Sequence, residues 1–227
     1  MNILGNLALF AHAGHQHDLS VFVMQVTVVI GVVAGIAGVG FLFYFKAWGR
    51  FLSRLKWLWT NWLTSVDPKK IGVMYIVVAL LMLLRGASDA AMMRAQQATS
   101  VGDSSGVLSS DHFQQIFSAH GTIMIFFAAM GLMFGLINLV VPLLIGARDV
   151  AFPFLNATSF WLFAAGAGLI NLSLFVGGEF SAAGWLAYPP LSELAYSPGV
   201  GVDYWIWSLQ IAGIGSLLAG INFTVTI

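Results

Sequence analysis

The sequence predicts an all-α membrane protein with five transmembrane helices, and three observations support this fold class. Of the 227 residues, 59% are hydrophobic and only 8% are charged, which is too little polar surface to cover a water-soluble globule. Five apolar stretches are each long enough to cross a hydrocarbon core of roughly 30 Å, which takes about 20 helical residues. The basic residues are concentrated on one side of these stretches, as the positive-inside rule requires.

The predicted spans, labelled A to E, follow a short amino-terminal tail at 1–19 and form one partial domain at 20–227. They are A at about 20–44, B at 71–93, C at 115–144, D at 153–178 and E at 203–227. Small residues in GVVAGIAGVGF (31–41) and FAAGAGLI (163–170) favour close helix contacts, so we expect a bundle. Segment E reaches Ile227 with no flanking charge or cap, which we interpret as a truncation.

The positive charges predict the orientation of the chain. Seven of the nine Lys and Arg lie between A and B or between C and D: Lys46, Arg50, Arg54, Lys56, Lys69, Lys70 and Arg148. We therefore expect loop 45–70 to be cytoplasmic and the amino terminus to be periplasmic. Because this loop mixes Trp, Leu and basic residues, we expect it to lie along the inner membrane surface. Nine acidic residues balance the nine basic ones, so we expect no nucleic-acid partner.

The absence of Cys from the sequence limits metal binding to His and carboxylate ligands. Three of the five His, namely His12, His15 and His17, lie in the amino-terminal tail. An inert, exposed terminus is a better interpretation of these three residues than a metal site.

Charged residues inside apolar segments are costly, about 2.5–3.5 kcal/mol each at the bilayer centre, so each one requires a partner or a function. Arg85 and Asp89 share one face of helix B, and a mutual ion pair explains them as well as a functional site does. Because B and C run in opposite directions, His112 and Gln115 lie at a similar depth. Such a group offers donors to quinone carbonyls and acceptors for the protons that a quinol releases.

His120 lies about two turns beyond His112 in segment C. From the residues alone, haem ligation and a hydrogen-bonded core His are equally favoured. Gly121 supports ligation, because a flat macrocycle can approach a helix where no side chain intervenes.

Asp149 precedes segment D, and Asn138, Asn156 and Tyr75 lie near the same side of the membrane. A carboxylate at a membrane surface followed by uncharged polar groups fits the mouth of a proton pathway. From spacing alone, a helix cap or a partner for Arg148 is the more favoured interpretation of Asp149.

Six runs of the sequence carry a resemblance to a known family. They are NWLTSVDPKKIGVMYI (61–76), MLLRGASDAAMMRAQQ (82–97), DHFQQIFSAHGTIMIFF (111–127), NLVVPLLIGARDVAFPFLN (138–156), GWLAYPPLS (184–192) and SPGVGVDYWIWSLQIAGIGS (197–216). These runs resemble subunit I of the bo-type ubiquinol oxidases, in the haem-copper oxidase superfamily, over about residues 60–227. The resemblance implies that the chain is the amino-terminal part of that helical bundle.

The resemblance also implies roles for the candidate residues. It assigns ubiquinone binding to four of them: Arg85, Asp89, His112 and Gln115. It makes His120 an axial ligand of the low-spin haem b iron and places Arg94 against the haem edge. A proton channel would begin at Asp149 and be lined by Asn138, Asn156, Tyr75, Ser216 and Asn222.

The function implied for the parent enzyme is proton-pumping oxidation of ubiquinol, with reduction of oxygen to water, at the bacterial cell inner membrane. Its cofactors would be haem b, haem o, copper and ubiquinone, and its partners ubiquinol, subunits II, III and IV and the lipid bilayer. The haem o and copper ligands would lie in later helices, so we expect the isolated chain to be inactive. The alternatives are a fragment of a cytochrome c oxidase subunit I and a non-catalytic membrane helix bundle.

Overall fold

The computed structural model describes residues 48–227 and the single residue Thr27, and over this part the chain is helical without strands. The α-helices are α1 (Trp48–Leu58), α2 (Pro68–Thr99), α3 (Ser110–Leu144), α4 (Pro153–Val176) and α5 (Gly201–Thr226), and a π-helical segment, Trp59–Leu63, follows α1 directly. The all-α prediction is confirmed, and α2 to α5 correspond to segments B to E. Apart from Thr27, segment A lies outside the described residues, as does the tail that carries His12, His15 and His17.

The helices α2 to α5 are each long and apolar enough to cross a membrane, with mean hydropathies of 1.4 to 2.4 over their most apolar 18 residues. Only 33% to 44% of each of these 18-residue stretches is buried within the chain. Most of each helix surface is therefore left for lipid or for neighbouring helices, as expected of a membrane bundle. Helix length and composition agree with the prediction for segments B to E.

The described residues fall into two compact units. The larger unit consists of Leu58–Met92 and Gln114–Ile227, and the smaller one contains residues 48–57 together with Met93–Phe113. The candidate residues are divided accordingly, because His112 and Arg94 belong to the smaller unit and the other candidates to the larger. The division into a tail at 1–19 and a domain at 20–227 stays a prediction.

Glycines set the spacing of the helices in the larger unit. A Cβ atom added to Gly72 of α2 would lie 2.8 Å from the carbonyl oxygen of Gly135 in α3. Between α4 and α5, a Cβ on Gly166 would lie 2.6 Å from the carbonyl oxygen of Ser208. Backbones touch at these points because nothing larger than hydrogen fits. Gly166 confirms the predicted role of the small residues at 163–170.

The helix α3 contains a π-helical segment, Ile123–Ala129, which begins one turn after His120. A wider turn of this kind rotates the side chains that follow it relative to those before it, and such segments are frequent at functional sites. Ile123 and Phe127 within the segment are fully buried. The segment is therefore part of the buried core of the larger unit.

Residues 177–200, which connect α4 to α5, form an irregular loop that packs on the helices of the larger unit. The loop is anchored to α3 by two hydrogen bonds. The backbone N–H of Phe180 donates to Oε1 of Gln115 at 3.2 Å, and that of Gly184 donates to Oγ of Ser118 at 2.9 Å. This loop brings residues distant in sequence against the amino-terminal half of α3.

Candidate functional site

The carboxyl-terminal half of α2 carries an ion pair that is largely removed from solvent. Nη1 of Arg85 donates to Oδ1 of Asp89, and the side chains are 19% and 0% exposed. Their spacing places both on one helix face, as predicted. Oδ2 of Asp89 is buried and has no hydrogen-bond partner in the part of the chain that the structure describes. Because an unpartnered buried carboxylate oxygen is costly, this atom is a candidate contact for a proton-donating ligand.

Phe180 connects this ion pair to α3. Cζ of Arg85 lies 5.0 Å from the centroid of the Phe180 ring, which is within cation–π range. The backbone N–H of Phe180 donates to Oε1 of Gln115, so the amide NH₂ group of Gln115 is left for another acceptor. We call Arg85, Asp89, Gln115 and Phe180 the Arg85 cluster. A Phe in a loop carries no chemical signal in the sequence, and Phe180 was therefore not a candidate there.

Two other predicted residues belong to the smaller unit and are described within it. His112 is 4% exposed, and its backbone N–H donates to Oγ of Ser109 at 3.3 Å. Arg94 is exposed, and its Nη1 donates to Oε1 of Gln97 at 2.9 Å. The assignments of His112 to the ubiquinone site and of Arg94 to the haem edge stay predictions.

His120 of α3 contacts the backbone of α2. Its Nδ1 lies 2.9 Å from the carbonyl oxygen of Gly86. Because a carbonyl oxygen only accepts, Nδ1 carries a proton, and in the neutral imidazole with this tautomer Nε2 keeps its lone pair. The two helices come close here because Gly86 has no side chain: a Cβ would lie 2.7 Å from Sδ of Met124. Both sequence interpretations, a metal ligand oriented by a carbonyl and a hydrogen-bonded core His, agree with this contact.

The chemistry of His120 fits a haem iron that takes one imidazole from this chain. Within the described residues, Nε2 of His120 has no hydrogen-bond partner, and the side chain is half-buried. The expectation that a macrocycle approaches the helix at Gly121 does not agree with the structure. A Cβ on Gly121 would lie 3.3 Å from the Trp185 side chain, so Trp185 occupies that position. Successive helix residues point about 100° apart, so Trp185 and the His120 ring occupy different sides of α3.

No group of three His, Cys, Asp or Glu that could hold a metal ion is found in the described part of the chain. Haem iron does not need such a group, because it takes its axial ligands singly. His120 is therefore the candidate metal ligand that the structure leaves to test.

A second group of buried polar side chains links α2, α3 and α4. The hydroxyl of Tyr75 lies 3.0 Å from Oγ of Ser159, which donates to the carbonyl oxygen of Asn156 at 2.8 Å. Nδ2 of Asn156 donates to Oδ1 of Asn138 at 2.6 Å. The Tyr75 side chain is 1% exposed and the other three are 0% exposed. We call these four residues the Tyr75 network.

The Tyr75 network is uncharged and keeps one unused acceptor. Since Ser159 gives its single proton to Asn156, the hydroxyl of Tyr75 is the donor in their contact. Oδ1 of Asn156 is buried without a partner among the described residues. Uncharged hydrogen-bonding walls of this kind are what a proton-conducting water chain needs. Ser159 was not a candidate in the sequence, because a helical Ser usually bonds its own backbone.

Asp149 is exposed and lies outside the Tyr75 network. Its Oδ1 accepts a hydrogen bond from the N–H of Val150 at 2.8 Å. The N-cap residue of α4 is Phe152, so Asp149 does not cap that helix. Within the described residues it forms no ion pair with Arg148 either. The structure thus shows neither of the structural roles that the spacing favoured.

Asn222 and Ser216 of α5 make local contacts. Oδ1 of Asn222 accepts from the N–H of Phe152 at 2.9 Å, and its Nδ2 donates to the carbonyl oxygen of Phe152 at 3.1 Å. Asn222 therefore fastens the end of α5 to the start of α4. Ser216 donates to the carbonyl oxygen of Gly213 in its own helix at 2.8 Å. Their assignment to a channel wall stays a prediction.

Known proteins resemble the chain over most of its length. The family described as cytochrome c and quinol oxidase polypeptide I matches residues 70–227. Ubiquinol oxidase subunit 1 of Acetobacter aceti is 54% identical over 215 residues, which cover 92% of this chain and 31% of that protein. Cytochrome bo(3) ubiquinol oxidase subunit 1 of Buchnera aphidicola subsp. Schizaphis graminum is 61% identical over 184 residues, covering 81% and 27%.

A third relative has a different printed name. A probable cytochrome c oxidase subunit 1 of Bradyrhizobium diazoefficiens is 58% identical over 198 residues, covering 87% of this chain and 29% of that protein. The chain therefore spans between 27% and 31% of the length of these three relatives.

Proposed function

Because the chain belongs to the cytochrome c and quinol oxidase polypeptide I family, we propose that it forms part of subunit I of a bacterial ubiquinol oxidase. The complete complex would oxidise ubiquinol, reduce oxygen to water and move protons across the inner membrane. This chain would contribute ubiquinol contacts, one haem ligand and the start of a proton path. The haem o and copper ligands, and subunits II, III and IV, would come from elsewhere in the complex, so the isolated chain is expected to be inactive.

The observation that carries the proposal is the unpartnered carboxylate oxygen in the Arg85 cluster. Oxidation of ubiquinol releases two protons, and Oδ2 of Asp89 is a buried acceptor with no partner among the described residues. The amide NH₂ group of Gln115 is a donor for a quinone oxygen. Arg85 balances the charge of Asp89 and holds its other oxygen. Asp89 would thus accept a proton while Gln115 orients the ring.

His120 would bind the iron of a low-spin haem b through Nε2. The bound haem would supply one-electron transfer from the quinol. The hydrogen bond from Nδ1 to Gly86 would fix both the tautomer and the ring orientation of His120.

The Tyr75 network would form part of a proton path that begins at Asp149. Exposure of Asp149 suits a group that takes protons from water. Oδ1 of Asn156 would hold a water molecule, because it is a buried acceptor with no partner among the described residues. With loop 45–70 on the cytoplasmic side, this path would admit cytoplasmic protons.

One observation favours a second candidate function, a cytochrome c oxidase. The relative from Bradyrhizobium diazoefficiens is called a probable cytochrome c oxidase subunit 1 and is 58% identical to this chain. In that case the Arg85–Asp89 pair would be structural and the electron donor a protein.

The choice of electron donor separates the two functions. The test uses the complete oxidase that carries this segment, purified in detergent, with oxygen uptake driven by ubiquinol or by reduced cytochrome c. We expect oxygen uptake with ubiquinol and none with reduced cytochrome c. Uptake with cytochrome c alone would replace the proposal by the second candidate.

A substitution at His120 tests the haem assignment separately. We expect His120→Ala to abolish the low-spin b-type absorbance, whereas Asn171→Ala in α4 leaves it unchanged. Full low-spin absorbance in His120→Ala would show that the iron takes its ligand elsewhere.

A further inference from the structure

We propose that Phe180 is a positioning residue of the quinol site, which holds the Arg85 guanidinium and turns the Gln115 amide so that its N–H groups face the ligand. The inference rests on the function proposed above and deepens it. It is carried by three contacts of Phe180: one with its ring, one with its N–H group and one with the backbone around its carbonyl.

The ring of Phe180 restrains Arg85. Cζ of Arg85 lies 5.0 Å from the ring centroid, and Phe180 is only 3% exposed. A cation–π contact strengthens as its partners lose water, and here the ring is buried and the Arg85 side chain is 19% exposed. Asp89 accepts a hydrogen bond from the end of the guanidinium, whose central carbon lies over the Phe180 ring, so the group is restrained at two points. A fixed guanidinium fixes the carboxylate that would accept the proton.

The backbone of Phe180 decides which end of the Gln115 amide is available. Oε1 of Gln115 accepts the Phe180 N–H at 3.2 Å. Rotating the amide by half a turn would set its NH₂ group against that N–H, and two donors would face each other. The NH₂ group of Gln115 is therefore held as the free donor, and a quinone oxygen is the acceptor that it would contact.

The start of α5 fixes the backbone of Phe180 in turn. A Cβ added to Gly201 would lie 2.5 Å from both the carbonyl carbon and the carbonyl oxygen of Phe180. Oε1 of Glu179, the preceding residue, accepts the N–H of Gly201 at 3.3 Å. A methyl group at position 201 would therefore displace the Phe180 backbone. The substitution alters no residue of the Arg85 cluster itself.

The first experiment removes the ring of Phe180 in the complete oxidase. Phe180→Leu keeps an apolar side chain and the N–H group but loses the aromatic face. We expect the KM for ubiquinol to rise about three- to thirty-fold, the range of a partly to fully desolvated cation–π contact. The low-spin haem absorbance should be unchanged, and Phe180→Tyr, which keeps the ring, should restore the KM.

A matched control separates loss of the contact with Arg85 from the general loss of packing caused by truncating a buried ring. Phe127→Leu also truncates a fully buried ring, which packs on Phe163 with centroids 5.7 Å apart. We expect this variant to keep the parental KM. An equal rise in KM for Phe127→Leu and Phe180→Leu would overturn the positioning role.

The second experiment displaces the backbone of Phe180. Gly201→Ala should raise the KM for ubiquinol, because it moves the N–H that orients Gln115. Gly213→Ala on the same helix should not, since a Cβ there would have nothing within 4 Å among the described residues. This pair also tests the proposal if Phe180→Leu fails to assemble with haem.

The variant Asp89→Asn separates the role of Phe180 from the quinol site itself. If Asp89→Asn lowers ubiquinol-driven oxygen uptake while Phe180→Leu and Gly201→Ala keep the parental KM, the role of Phe180 is wrong and the quinol site stands. If Asp89→Asn keeps the parental rate and none of the three variants changes the KM, the quinol assignment itself fails.

Discussion

The Arg85 cluster and the Tyr75 network both place polar side chains in the interior of the larger unit, yet they differ in charge. The cluster contains an ion pair, whereas the network consists of a phenol, a hydroxyl and two amides. Tyr75 and Asp89 lie on the same helix, about 20 Å apart at about 1.5 Å per residue. One helix therefore carries both kinds of site.

This difference is informative because charge in a membrane interior is costly. A charged group is retained where the chemistry needs one, such as an acceptor for a proton released on oxidation. Neutral hydrogen-bonding groups suffice where protons only pass. Each region keeps one buried acceptor without a partner among the described residues, Oδ2 of Asp89 and Oδ1 of Asn156.

The largest expected effect comes from removing the charge of the Arg85 cluster. Asp89→Asn keeps the shape and one acceptor for Arg85 but loses the group that would take the proton. We expect ubiquinol-driven oxygen uptake by the complete oxidase to fall about 100-fold or more, as for loss of a general base. Glu193→Gln, an exposed carboxylate in loop 177–200, should keep the parental rate. Parental activity in Asp89→Asn would make the ion pair structural.

The next effect concerns the central link of the Tyr75 network. Asn156→Leu removes the donor to Asn138 without adding charge. We expect proton uptake to slow about tenfold, the equivalent of one lost hydrogen bond of about 1.4 kcal/mol, with the KM for ubiquinol unchanged. The readout is pH change in a weakly buffered suspension of vesicles containing the oxidase.

Asn171→Leu is the matched control for that experiment, since Asn171 is also on α4 but lies outside the Tyr75 network. Its Nδ2 donates to the carbonyl oxygen of Ala167 at 2.8 Å and contacts Sδ of Met82 at 3.5 Å. It should leave proton uptake at the parental rate. A changed KM for ubiquinol in Asn156→Leu would show that the two regions do not work separately.

A smaller effect is expected from substitutions at the glycines where α2 contacts α3 near each region. A Cβ at Gly72, near the network, would meet the carbonyl oxygen of Gly135 at 2.8 Å, whereas one at Gly86, near the cluster, would meet the flexible end of Met124. We expect Gly72→Ala to destabilise the bundle by about 1–3 kcal/mol and Gly86→Ala by less. The midpoint of thermal inactivation in detergent measures this, with Gly220→Ala as an unstrained control. The reverse order would mean that α2 and α3 separate more easily near Tyr75.

The smallest effect is expected at Tyr75. Tyr75→Phe removes the donor to Ser159, but Ser159 keeps its own bond to Asn156, so we expect a loss of about 1 kcal/mol. The effect of Tyr75→Phe and Ser159→Ala together should be less than the sum of the single effects, because both remove the same contact. Additive losses in thermal unfolding would show that the contact contributes nothing.

The sequence predicted the helices well because apolar composition and length decide which segments enter a membrane. Their ends were less accurate. Segment B was expected at 71–93, but α2 extends to Thr99. Segment C was expected to begin at 115, but α3 begins at Ser110. The predicted ends follow from the thickness of the hydrocarbon core alone. A helix continues beyond that core because its backbone hydrogen bonds do not depend on lipid.

The candidate site was predictable only where its contacts follow from helix geometry. Arg85 and Asp89 are four residues apart, so their pairing could be anticipated. The contact of His120 with Gly86 and that of Phe180 with Gln115 join separate elements, so spacing gave no indication of them. Ser159 was missed for the same reason, since its partner Tyr75 lies on another helix.

By itself the sequence determined that this chain is a helical membrane protein, where α2 to α5 lie and which of these helices carry ionisable groups. These properties are local, because the cost of placing a side chain in hydrocarbon is set residue by residue. Only the tertiary structure decided which polar atoms are satisfied and which are left without a partner. That outcome depends on where glycines let helices touch and where a loop folds back, and both are relations between elements far apart along the chain.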